Sequence, residues 1–134
     1  MKQSLAQKRA RHALDKVNEL NELKKRNDYG KYLSYVKALP ATIIMTGLGQ
    51  AMAMEKAGTK DKGHGFLYGH MNDWLCNNNG NGWQHSPYKK KDDVLGAITS
   101  LDEDSYICVQ AEAIEYLEWL KKFAVAELDE ERSP

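Results

Sequence analysis

The stretch LPATIIMTGLGQAMAMEKAG, Leu39 to Gly58, is apolar on nearly every side of a helical projection. A rod of that kind reads as a helix surrounded by protein rather than one lying on a surface. Pro40 suits a first helical turn, where a backbone N–H has no intrahelical partner in any case. The residue before a proline avoids the helical conformation, so the preceding helix is expected to end near Leu39. Between Thr42 and Met54 the only polar side chains are Thr42, Thr46 and Gln50, and their spacing of four aligns them in one stripe. Gly47 and Gly49 each weaken a helix by about 1 kcal/mol relative to alanine. They predict a bend there, or something packed close to the backbone. Gly58, followed by the polar run Thr59–Lys62, predicts the stop.

Upstream, residues 3–26 predict one long helix. Ala6, Ala10, Ala13, Leu14, Val17 and Leu20 recur at three- and four-residue intervals as its core stripe. Arg9 and Lys16 line one edge of that stripe with His12 beside them, an edge more purely basic than the mixed surface of Lys8, Arg11, Asp15, Glu19, Glu22 and Arg26. Such an edge suits a phosphate backbone and equally suits plain solubilising charge. Asn27–Gly30 interrupts the pattern, and Tyr29 to Leu39 predicts a shorter second helix. Downstream, Thr59–Gly65 reads as a polar loop and Phe66–Leu75 as a fourth helix. Residues 77–88, NNNGNGWQHSPY, are turn chemistry followed at once by Lys89–Lys91. A short helix is predicted over Asp92–Leu101, with Asp92 or Asp93 at its positive end. A long one is predicted from Tyr106 to Leu128, burying Val109, Ala113, Leu117, Leu120 and Ala124 with Tyr116 and Phe123 flanking. No segment alternates with period two. The fold class expected is all-α, a bundle of five to six helices around the apolar one, with residues 1–134 forming a single domain. Loop 77–91 and tail 129–134 are expected to be mobile.

Composition narrows the function. The chain is 42% apolar and 28% charged, the balance of a soluble globular protein. No apolar run approaches the ~20 residues that span a bilayer, and the N-terminus MKQSLAQKRARHALDK has charges where a signal peptide needs apolar residues. The expected location is the cytoplasm, with Cys76 and Cys108 as free thiols. The zero net charge hides an asymmetry: residues 1–39 carry a balance of +6, residues 40–101 of +1 and residues 102–134 of −7. That dipole fits a basic face for nucleic acid or head-to-tail contact between copies. It also fits a basic helix packed beside an acidic one within a single molecule.

Catalytic machinery is hard to assemble from these residues. Gly47-Leu48-Gly49 lacks a third glycine, since Met52 stands in its place, and no strand precedes it, so the dinucleotide reading fails. The carboxylates Glu112, Glu115, Glu118 and Glu127 are expected to face mostly outward. His64, His70, Cys76 and His85 are of ligand type, but their spacings of six, six and nine match no usual zinc pattern. Cys76 reads instead as a core residue at a helix end and the histidines as solvated. Met45, Met52, Met54 and Met71 read as core packing, and Trp74 and Trp119 as helix contacts. Trp83 is open to two roles, stacking on a base or folding back on its own domain. The residues alone favour a binding or scaffold protein, with no catalytic residue, metal or cofactor.

Three pieces carry a family likeness: QKRARHALDKV (Gln7–Val17), YVKALPATIIMTGLGQAMAM (Tyr35–Met54) and YICVQAEAIEYLEWLKKFAVAEL (Tyr106–Leu128). In order and character they resemble the small helical subunit of the type III-B CRISPR effector (Cmr) complex. They cover about two fifths of the chain, and residues 59–104 add little beyond Trp74-Leu75. The resemblance implies an all-helical, non-catalytic subunit acting in antiviral defence. Its copies would stack beside the backbone and large subunits and line the channel for guide RNA and target RNA through sugar-phosphate contacts. Arg9, Lys16 and Lys37 are the first candidates for RNA contact, with Gln50 and Lys121 next. The alternatives are a helical protein–protein adaptor without RNA binding and a small zinc-stabilised helical protein.

Overall fold

Gly47, not Leu39, is where the chain breaks. In the computed structural model, which describes residues 2–23, 29 and 31–128, helix α1 spans Leu5–Leu23 and α2 spans Tyr32–Thr46. Then come α3 at Leu48–Ala57, α4 at Lys62–Cys76, α5 at Val94–Ser100 and α6 at Glu103–Leu128. The expected ends of the first helix at Arg26 and of the chain at residues 129–134 lie outside the described residues, as does most of the Asn27–Gly30 interruption.

Helix α2 runs straight through Pro40, correcting the expected boundary. A proline inside a helix costs about 3 kcal/mol because it removes one backbone hydrogen bond and crowds the preceding turn. Here Val36, Leu39, Pro40 and Ile43 are all buried, and α2 packs against α4 and α6. The burial of those side chains outweighs the local penalty. Gly47 then adopts φ 88° and ψ 157°, a region essentially reserved for glycine. Its N–H still closes on the Ile43 carbonyl at 2.7 Å. The first amides of α3 are capped from α6 instead of by a local residue. Leu48 N–H donates to Gln110 Oε1 at 2.8 Å and Gly49 N–H to the Tyr106 hydroxyl at 3.0 Å.

The break also undoes two other expectations for this stretch. Thr42 and Thr46 bond back to the Ala38 and Thr42 carbonyls, while Gln50 sits exposed on a different helix, so the three form no common stripe. The stretch is not enclosed either. Ile44 is 71% exposed, Met45 82%, and Met54 is open as well, whereas Met52 and Met71 are buried. Of the four methionines, two are packing residues and two are surface.

Helix α6 is the spine, with α1 and α2 lying along it and α4 packing on α2 and α3. Every residue of its expected stripe (Val109, Ala113, Leu117, Leu120 and Ala124) is buried, with Tyr116 among them. It begins three residues earlier than the periodicity suggested because Asp102 accepts from the Ser105 amide at 3.0 Å. Helix α4 likewise starts at Lys62 rather than Phe66. One Asp61 oxygen accepts the Gly63 amide at 2.8 Å and the other the Tyr35 hydroxyl at 2.9 Å. Asp93 precedes α5, but its carboxylate turns to the Tyr68 hydroxyl and to Lys56 Nζ, leaving the Val94 amide to Asn72 Oδ1 at 2.7 Å. Trp83 and Tyr88 fold back into the core, and so Trp83 is not an exposed stacking surface.

Candidate nucleic-acid interface

The edge that reads as purely basic in sequence is paired in three dimensions. Arg9 donates from Nε and Nη2 to the two oxygens of Glu112, at 2.6 and 2.7 Å. The arginine side chain is 12% exposed and the carboxylate 6%. Trp74 Nε1–H adds a third hydrogen bond to Glu112 at 3.0 Å. Glu112 therefore faces inward, contrary to the expectation for the α6 carboxylates. Its guanidinium partner is held even further above its ordinary range by the hydrogen bond to Glu112, against the opposing effect of burial. Three residues along α1, the His12 ring bridges Tyr116 at 2.6 Å and Asp73 at 2.7 Å. Arg9–Glu112 and His12–Tyr116 are offset by 103 and 104 residues, so α1 and α6 run in the same direction.

Asp73 collects the remaining charge. Its other oxygen accepts Asn79 Nδ2–H at 2.8 Å, and Lys16 Nζ lies 3.6 Å from Oδ2. The His12 hydrogen bond, first among several causes, holds this carboxyl down at about 2. Because that carboxylate is ionised, His12 Nε2 carries the proton it donates. Next door, the Tyr32 hydroxyl and His70 Nδ1 share a hydrogen bond at 2.8 Å, and burial depresses His70 to about 3. His70 is thus a core residue rather than a solvated one, and His12, beside the basic edge, is buried as well. His64 bonds Glu55 at 2.8 Å and stacks on Tyr35. Among the described residues no three His, Cys, Asp or Glu side chains converge to hold a metal ion.

A pH dependence follows from His70. Between its ordinary value of about 6.5 and its folded value of about 3, the unfolded chain binds a proton that the folded chain excludes. Stability therefore falls on acidification through that window, by up to about 1.4 kcal/mol per pH unit. The Asp73 contribution is complete above its unfolded value of 3.8 and is lost only as pH falls towards 2. Urea unfolding at pH 7, 6 and 5 should show a shallower pH slope for His70→Gln than for the native chain. Equal slopes would show that His70 titrates normally.

The five candidate contact residues do not form one cluster. Arg9 is committed to Glu112. Lys16 is mostly buried between Asp73 and Glu19, while Lys37 is exposed on α2. Gln50 lines an open cleft of about 670 Å³ between α3, α5 and the start of α6. Lys121 is partly exposed, with Nζ 3.4 Å from Glu118 on its own helix. What the structure adds is a groove of about 490 Å³ between α1 and the Asn–Gly loop, bordered by Lys8, Arg11 and Lys16 on one side and Gly80–Gly82 and Gln84 on the other. No sequence signal pairs that loop with α1.

The family model described as CRISPR-associated protein (Cas_Cmr5) matches residues 5–127. The chain belongs to this CRISPR-associated Cmr5 family. It is a type III-B Cmr subunit, of the family that supplies the structural small subunit of the effector complex, and its partners include other Cmr subunits. The Cmr5 match starts at the first residue of α1 and stops one residue short of the end of α6, so it takes in all six described helices. Residues 59–104, where the resemblance is faint, lie inside it. No helix among the described residues is long and apolar enough to cross a membrane.

Proposed function

We propose that this chain is a non-catalytic subunit that stacks with copies of itself in the cytoplasmic Cmr ribonucleoprotein and lines its guide and target RNA channel in antiviral defence. The observation that carries the reading is the family match across the whole helical body. Lys16, Lys37, Gln50 and Lys121 meet the sugar-phosphate backbone. Arg9 contributes by clamping α1 to α6 through Glu112, which sets where Lys16 sits. The open apolar side chains Ile44, Met45 and Ile107 are available for subunit contact. Because phosphate contacts carry no sequence information, binding is sequence-tolerant and salt-sensitive.

The test is a reconstituted Cmr complex carrying Lys16→Ala, Lys37→Ala and Lys121→Ala together. Assembly is expected to be intact, with weaker target-RNA binding and a log Kd against log salt slope shallower by about 2, at roughly 0.7 per phosphate contact on a single strand. An unchanged slope with intact assembly would remove these lysines from the channel. Failure to assemble would favour the protein-adaptor role.

A further inference from the structure

Residues 77–91, NNNGNGWQHSPYKKK, contain no Asp or Glu and end in three lysines that the reading above leaves unused. The segment is built onto the end of α4. A helix leaves its last four carbonyls without intrahelical donors, and here each one is taken. Asn77 N–H donates to Asp73 at 3.1 Å, Trp83 N–H to Trp74 at 2.9 Å and Lys90 N–H to Cys76 at 2.7 Å, while the Ser86 hydroxyl donates to Leu75. Trp83 and Tyr88 anchor the loop in the core. The lysines are thereby mounted before any ligand arrives, so binding to them carries little ordering cost.

Two features indicate what the mount is for. Lys90 sits at φ 67°, a left-handed conformation that costs a residue with a side chain about 1–2 kcal/mol and that glycine or asparagine fills more easily. All three lysines are exposed, and the large exposed apolar residues lie on α1, α2, α3 and α6 rather than on this loop. Protein-docking patches centre on apolar and aromatic anchors, whereas a surface of cations and amides suits phosphates and sugars. One acid, Asp92, follows directly, and the next, Asp93, is held by Lys56 and Tyr68. At its other end the loop walls the groove faced by Lys8 and Arg11, which Asp15 and Glu19 also line.

The geometry points to Lys89–Lys91 as a further contact for the phosphate backbone of single-stranded RNA, separate from the α1, α2 and α6 lysines. The inference rests on the RNA-channel reading but uses different residues, so the two can fail independently. The experiment is target-RNA binding by the reconstituted complex across a salt series, with Lys89→Ala, Lys90→Gly and Lys91→Ala combined. The glycine relieves the backbone at position 90 and keeps the loop folded. A loss of about tenfold or more at moderate salt and a slope shallower by about 2 are expected, with both restored in a triple arginine variant. Native affinity and slope in the triple variant, alongside a loss in the Lys16, Lys37 and Lys121 variant, would overturn this site and leave the proposed function standing. Native behaviour in both variants would overturn both. If the triple variant failed to join the complex while RNA binding by the complex that did form was native, the lysines would be a protein contact, and this proposal would be wrong.

Discussion

Glu112→Ala should lower the stability of this chain by about 3–5 kcal/mol, the range for breaking one side of a buried ion pair. In a domain of this size that is a fall of roughly 11–18 °C in Tm. The carboxylate satisfies both forks of Arg9 and the Trp74 indole N–H. Its removal leaves a largely buried guanidinium without its carboxylate and a buried indole N–H without an acceptor. The effect belongs to the broken pair more than to the pair's own net value, since taking two charges out of water offsets most of their attraction. The combined variant Arg9→Met with Glu112→Leu should therefore recover much of the loss. A double variant as unstable as Glu112→Ala would show that the ion pair itself, rather than its satisfied state, holds the two helices. Thermal and urea unfolding of the native chain and the two variants decide it.

Gly82→Ala should cost about 3 kcal/mol, at the upper end of the range for overpacking. A Cβ at Gly82 would lie far inside contact distance of the Asp73 carbonyl oxygen, 2.9 Å from that of Trp74 and 3.1 Å from the Asn77 Cα. All three are backbone atoms at the end of α4, so none can swing aside as a side-chain tip would. Relief requires lifting the loop, which breaks the Trp83–Trp74 bond and the 2.7 Å bond from Gly82 N–H to Asn77 Oδ1. Gly80→Ala is the control. It has φ 83° with nothing within 4 Å of its Cβ, so only backbone strain of about 1 kcal/mol applies. Equal losses at the two positions, measured by urea unfolding, would refute close approach as the reason for glycine at 82. The same variant bears on the lysine mount, because a lifted loop no longer presents Lys89–Lys91.

How much of this was legible in the sequence varies by element. The α6 stripe was fully readable because a long helix with one buried face repeats its signal over many turns, so that local propensity and tertiary packing agree. The local rules mark two places in the apolar stretch, a boundary at Pro40 and a bend at Gly47 and Gly49, and only the second is a break. Only the packing of Val36, Leu39 and Ile43 decides between them. The basic edge of α1 is legible as a row of residues. Its packing beside the acidic α6 is one of the readings the charge asymmetry left open, but which residues pair is not legible. Arg9 and His12 look like surface cations until α4 and α6 bring Glu112 and Asp73 against them. Partners more than sixty residues away leave no trace in the spacing of either segment.

The sequence by itself determined the all-helical class, the identity of the long helices and the family, through patterns that repeat locally or extend along the chain. Tertiary structure alone decided that the helix continues through Pro40 and which lysines remain open to solvent. It also decided that the asparagine–glycine segment closes the end of α4 and borders α1. The physical reason is that burial and charge pairing belong to contacts between distant residues. A helix periodicity indicates which way a side chain points, but the fold determines what it meets there.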